Sequence, residues 1–275
     1  MKIGVLVESF RLEFADALAA AAEVGCQGVQ MYVPGGWTAD QIRERRTKLN
    51  DSGLELSAAC AEFGGHGFMV AEDNPARVDR TKRAIDEGLA LGTNVVTSHI
   101  GVVPADKSNP RFGVMASACE QIAKYAGSVG ATFAIETGPE TGRTLRAFID
   151  EIGVEGLGVN FDPANLAMVI AEDVVDAVRQ LGPFIVHTHA KDGVNLREND
   201  GEVAYGAVAA PEGVDPAAGF EEVPLGEGDV PWPEYIAALK EVDFDGYLTI
   251  EREVGEDPAA DIKLAVGFLK GLGCG

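Results

Sequence analysis

Eight β-branched runs alternating with alanine-rich helical stretches, a length of 275 residues, and polar residues gathered where the runs end together predict a single-domain (β/α)8 barrel. The runs lie at 2–7, 28–33, 54–60, 94–100, 131–136, 156–162, 184–189 and 246–251. Between them the helical period predicts helices over 16–24, 39–52, 75–92, 114–129, 144–152, 172–181 and 232–242, with a last one from about Pro258. Gly25, Gly53, Gly92 and Gly130 stand where helices should stop, and glycine there turns the chain into the next strand. A doubly wound open sheet is the rival arrangement, but no GxGxxG follows the first strand or any later one. Residues 193–231 lack a strand or helix pattern and follow the seventh run. They are expected as a long irregular loop over the catalytic face, either a lid or a contact in a homo-oligomer such as a dimer or tetramer.

Composition narrows the function. With 44 acidic against 22 basic residues and a formal charge of −22, the chain has the wrong sign for a general nucleic-acid scaffold. The opening MKIGVLVESF has no long apolar core and no small-residue cleavage site, and no apolar run approaches a membrane span, so a cytoplasmic protein is expected. Cys26, Cys60, Cys119 and Cys274 are scattered without a C-x-x-C pair, which argues against thiolate zinc or redox chemistry. Cys26 and Cys119 fall in helical patterns and read as small core residues.

In a (β/α)8 barrel, chemistry sits at the C-terminal ends of the strands. Here those ends carry Glu8, Cys60 and Glu62, His99, Glu136, Asp162, His189 and Glu251. The last four belong to neighbouring strands and would ring half of the mouth. Three carboxylates held together without a cation repel and raise one another's pKa, whereas a divalent cation makes the cluster favourable. Three oxygens and an imidazole suit Mn, Mg or Co, with Zn also possible. In FIVHTHAKDG the two histidines share a face, so His189 joins the ring and His187 lies one layer deeper as a hydrogen-bonded interior residue. Lys191 and Asp192 read either as a solvated ion pair or as support for the site. His99 shares the mouth and is expected to touch substrate. His66 lies on a glycine-rich loop, at the pocket rim or on the surface, and Trp37 offers an apolar wall or loop packing.

Four motifs, AIETGPET (134–141), VNFDPANL (159–166), HAKD (189–192) and LGEGDVPW with GYLTIERE (225–253), resemble those of the xylose-isomerase-like epimerase and isomerase superfamily. That group includes D-tagatose 3-epimerase, hydroxypyruvate isomerase, inosose dehydratase and endonuclease IV. The resemblance spans essentially the whole chain and preserves motif order. It implies one divalent metal on Glu136, Asp162, His189 and Glu251, with both glutamates also acting as acid and base. Substrate contacts are expected at Asn165, His99, Glu140, His66, Arg252 and Trp37.

Departures narrow the choice. Asn165 stands where D-tagatose 3-epimerase and endonuclease IV have a histidine, and no Asp-x-His pair follows His189 to hold further zinc ions. Asn195 replaces an arginine of the epimerase branch, with Arg197 nearby. The expected activity is therefore epimerisation or isomerisation of a ketose, keto-sugar or polyol through a metal-stabilised enediolate flanked by Glu136 and Glu251. The loops after the seventh and eighth runs are rich in acid, which favours a neutral sugar over a sugar phosphate. An inosose-type dehydratase and a non-catalytic sugar-binding barrel are the alternatives.

Overall fold

The computed structural model describes residues 1–275. Eight parallel strands close into a barrel: β1 (Lys2–Leu6), β2 (Gly28–Tyr32), β3 (Glu55–Cys60), β4 (Val95–Ser98), β5 (Thr132–Glu136), β6 (Leu157–Phe161), β7 (Ile185–Ala190) and β10 (Tyr247–Ile250). Closure pairs β10 with β7 on one side, Thr249 opposite His189, and with β1 on the other, Ile3 opposite Leu248. No edge is left unpaired, which a long parallel sheet otherwise exposes. No helix is long and apolar enough to cross a membrane.

The outer ring comprises α1 (Phe14–Val24), α2 (Ala39–Ser52), α3 (Asn74–Leu91), α4 (Pro110–Ser128), α5 (Gly142–Ile152), α6 (Pro163–Ile170), α7 (Val174–Leu181), α9 (Trp232–Glu241) and α10 (Pro258–Gly271). Local chemistry sets their ends. Thr38 and Gln41 form a reciprocal capping box on α2, and Gly53 ends it in the left-handed region. Helix α4 starts at Pro110, earlier than the apolar period suggests, because the Asn109 side chain accepts from Arg111 N and proline suits the first helical position. Helix α5 turns Leu145, Phe148 and Ile149 inward, and Phe148 meets Phe112 of α4 edge to face at 5.3 Å. All four cysteines are free and buried.

Two features depart from the sequence expectation. Helix α6 fills the stretch directly after β6, where no helix was expected. The 193–231 stretch is also not wholly irregular. Strands β8 (Asp192–Asn195) and β9 (Phe220–Val223) pair antiparallel, and a short helix α8 (Gly201–Ala204) lies between them. Asp192 organises this segment, accepting hydrogen bonds from Gly193 N, Gly226 N, Val230 N and Trp232 Nε1 at 2.8–3.2 Å. Gly228 must be glycine, since a Cβ there would stand 2.2 Å from Asp192 Oδ1.

The apolar core lies between barrel and helices, with Phe133, Ile135, Phe161 and Tyr235 fully buried. Inside the barrel, beneath the mouth, the filling is polar instead. Gln30 donates to Thr97 Oγ1, His187 Nδ1 pairs with Asn160 Oδ1, and Ser57 and Thr249 hydroxyls meet His187 Nε2. His187 is thus the interior residue expected from its place in the strand, and burial together with the neighbouring His189 lowers it to about 3, so it is neutral.

Candidate metal centre

Four strand ends deliver the ring. Glu136 is the last residue of β5, His189 lies near the end of β7, and Asp162 and Glu251 directly follow β6 and β10. One ligand atom from each lies within 4.8 Å of all the others, and all four residues are buried, the most exposed being Glu251 at 8%. His189 Nδ1 is the focus: it lies 3.4 Å from Glu136 Oε1, 3.5 Å from Asp162 Oδ2 and 3.3 Å from Glu251 Oε2.

Each ligand is oriented by its own element. Asp162 caps α6: its Oδ1 accepts from Ala164 N and Asn165 N at 2.8 and 3.3 Å, which leaves Oδ2 for the ring. The DPAN sequence carries this signal, an aspartate N-cap followed by proline at the first helical position. Glu136 is held by Asn160 Nδ2 at 3.0 Å and Asn165 Nδ2 at 3.5 Å. Glu251 takes the Lys191 ammonium at 3.1 Å.

These donors fit a divalent cation. Asp162 Oδ2 and His189 Nδ1 are both buried without a hydrogen-bond partner, which buried polar groups rarely tolerate. The three carboxylate oxygens at 3.3–3.5 Å from Nδ1 stand as close as donors sharing one small cation would. The field agrees. Burial opposes a charge on His189, but Glu251 and Glu136 outweigh it and lift the imidazole well above its ordinary value. A site that attracts a positive charge this strongly suits a metal ion, and hard oxygen donors with one imidazole suit Mn, Mg, Co or Zn.

The other expected residues divide. His99 lies at the mouth with Nε2 3.1 Å from Glu136 Oε1. Burial works against its charge, but Glu136, with Glu62 and Glu251 behind it, raises the imidazole to about 9. Glu140 is 6% exposed with Oε2 unpartnered, and burial raises its carboxyl to about 7 against backbone N–H groups that favour ionisation. Asn165 sits beside the ring, but its amide donates to Thr137 O and Glu136.

Arg252, Trp37 and His66 are engaged elsewhere. The Arg252 guanidinium binds Glu222 at 2.7 Å and Asp261 at 2.9 Å. Trp37 stacks under Arg45 of α2 at 4.1 Å, and its backbone N–H donates to Glu87. His66 pairs with Asp73 at 2.8 Å on the loop before α3.

Lys191 and Asp192 do not form a solvated ion pair. Both are buried and they face different partners, Lys191 the ring and Asp192 the 193–231 segment. Composition does not reveal Tyr205, which follows α8 and meets His99 edge to face at 6.2 Å. Gln30 and Asn160 were also missed. Their one signal is a polar side chain inside an otherwise apolar run, GVQMYV and GLGVNF.

The model of the xylose isomerase-like TIM barrel family matches residues 18–272. The chain belongs to that family. A solved xylose isomerase domain protein from Planctomyces limnophilus superposes with a TM-score of 0.81 at 26% identity, covering 98% of this chain and 96% of that one. Two further structures fall below 25% identity and show the fold alone. A D-tagatose 3-epimerase-like protein has TM-score 0.74 at 20% identity, covering 99% and 98% of the two chains. A probable 3-DHS dehydratase from Bacillus anthracis has TM-score 0.74 at 21% identity, covering 98% and 99%. By sequence, an uncharacterised protein of Methanocaldococcus jannaschii is 27% identical over 205 residues, 70% of this chain and 62% of that protein. The chain thus spans less than two thirds of the curated relatives it matches.

Proposed function

We propose that this protein is a divalent-metal-dependent epimerase or isomerase of a neutral ketose, keto-sugar or related polyol. One observation carries the reading: Glu136 and Glu251, three strands apart around the barrel, converge on the same imidazole nitrogen at 3.4 and 3.3 Å. Two carboxylates reaching one centre from different strands can flank a planar carbon, one removing a proton and the other returning it to the opposite face. A cation bound in the ring would polarise the substrate carbonyl and its neighbouring hydroxyl, making the carbon-bound proton acidic enough to leave.

In this reading Asp162 and His189 serve chiefly as ligands. His99, hydrogen-bonded to Glu136, takes part in proton exchange there and touches the substrate, while Asn165 braces Glu136. A neutral substrate follows from the charges at the mouth. Arg252 is already paired with two carboxylates, and Glu62 and Glu253 would repel a phosphate. The D-tagatose 3-epimerase-like neighbour is named for the same class of chemistry.

A second reading rests on Glu140. A buried carboxyl raised to about 7, with one oxygen unpartnered, can protonate a departing hydroxyl, which is the step a dehydratase adds after the shared proton removal. The probable dehydratase among the structural neighbours points the same way. Incubating the Mn-loaded protein in heavy water with ketoses, keto-sugars and inososes separates the two. Deuterium at one carbon with no loss of water supports the epimerase or isomerase, and loss of water supports the dehydratase. No exchange on any substrate, with Mn bound, contradicts both.

A further inference from the structure

The imidazole of His189 has two nitrogens with opposite surroundings, and only one faces the carboxylates. Nδ1 points into the ring and has no hydrogen-bond partner. Nε2 points into the barrel, 2.9 Å from Gln30 Oε1 and 3.2 Å from Asn160 Nδ2. These neighbours ask for different tautomers. An amide oxygen wants a proton on Nε2, which leaves a lone pair on Nδ1 for a metal. An amide N–H wants the lone pair on Nε2, which puts the proton on Nδ1 and blocks ligation.

We propose that Gln30 is the positioning residue that decides this contest, holding His189 with its proton on Nε2 and its lone pair aimed at the metal. The inference rests on the reading of the ring as a metal centre. Gln30 is fully buried on β2, across the barrel from β7, and takes no part in the ring itself. Its amide is anchored at the far end, where Nε2 donates to Thr97 Oγ1 at 2.8 Å, so Oε1 is the end that faces His189. Asn160 is committed in two other directions: Nδ2 donates to Glu136 Oε2 at 3.0 Å, and Oδ1 accepts from His187 Nδ1 at 2.8 Å. Its approach to His189 is the longer of the two, and the shorter contact to Gln30 prevails. The polar layer under the mouth then has a purpose. Gln30 sets the histidine, Asn160 sets Glu136, and neutral His187 with the Ser57 and Thr249 hydroxyls holds Asn160 in place.

Partners of this kind on a metal-bound histidine typically change affinity by about 10- to 100-fold. The test measures Mn2+ affinity of the full-length protein from the EPR signal of the free ion, in wild type, Gln30→Leu and Gln30→Glu. Gln30→Leu, which leaves Asn160 unopposed, is expected to weaken binding by at least about tenfold. Gln30→Glu keeps an acceptor facing Nε2 and is expected to restore it. Gln30→Met, closer to glutamine in shape and likewise without an acceptor for Nε2, is expected to weaken binding in the same way and decides the matter if Gln30→Leu does not fold. Either apolar variant, once folded, binding Mn2+ as tightly as wild type would overturn the proposal. Wild type that binds no Mn2+ removes the metal centre itself and the inference with it.

Discussion

The two glutamates of the ring sit in unlike halves of the mouth. On the β5 side, Glu136 is surrounded by His99, Asn160 and Asn165, one titratable partner and two neutral amides. On the β10 side, Glu251 faces the Lys191 ammonium, which also meets Glu253 and lies 3.8 Å from Glu222, while Glu222 and Asp261 hold Arg252. Burial raises Glu251, but His189 and Lys191 outweigh it and bring the carboxyl to about 2. Burial raises Glu136 too, but His99 and His189 outweigh it and hold it well below the usual carboxylate range. Both carboxyls are therefore ionised, and the halves differ in what holds them, an imidazole with two amides against a network of charges. The difference teaches that equal distances to His189 do not make the two carboxylates equivalent: Glu136 is held by one imidazole and two neutral amides, and Glu251 within a network of charges.

The largest expected effect comes from the glutamates themselves. Glu136→Gln and Glu251→Gln should each slow deuterium exchange into substrate by about 10²–10⁴-fold, the usual worth of a positioned acid or base. Near-normal exchange in either variant with Mn bound would remove that residue from the acid/base pair.

Next comes a contrast in stability between the halves. Lys191→Met leaves buried Glu251 without its ammonium partner, and breaking a buried pair in this way costs about 3–5 kcal/mol. His99→Gln, which keeps a donor for Glu136 at a half-buried position, should cost no more than about 1 kcal/mol. Equal losses in urea denaturation would erase the distinction drawn between the two sides.

Glu140 gives the pH dependence. Its folded pKa of about 7 lies above the ordinary carboxyl value, so its contribution to stability is fully present in acid and drains away as pH rises through the folded value. Glutamine mimics the neutral form at every pH. Glu140→Gln should therefore raise Tm relative to wild type at pH 8 and show little difference at pH 4.5. A constant offset across that range would mean that Glu140 is not buried as a neutral acid.

The smallest effect is expected at His66, whose pairing with Asp73 keeps it on the rim. His66→Ala should leave exchange within a few-fold of wild type, and a loss comparable to that of Glu136→Gln would draw the glycine-rich loop into the catalytic machinery.

The barrel and its ring were legible in the sequence because both depend on local pattern. The last four β-branched runs each end in a polar residue that the pleat turns inward, and closure alone brings Glu136, Asp162, His189 and Glu251 together. What the sequence hid depends on long-range partners. Gln30 lies 159 residues from His189, and nothing near it in the chain indicates which strand it will face. The order in 193–231 depends on Asp192 collecting N–H groups from as far away as Trp232, so the segment lacks a period to read. Helix α6 has no polar face to give a period, since Pro163 through Val169 are all buried, whereas α7, equally short, alternates buried and exposed residues and was legible. Arg252 and Trp37 were expected at the substrate because they follow strands β10 and β2, and only the fold reveals that Asp261, Glu222 and Arg45 reach them first.

The most direct test of the account is an anomalous-diffraction map from crystals of the protein grown with Mn2+. The account predicts one strong peak per chain, within bonding distance of His189 Nδ1 and of carboxylate oxygens from Glu136, Asp162 and Glu251. A protein that remains metal-free in the ring at saturating Mn2+, or that binds the ion only elsewhere, would contradict it.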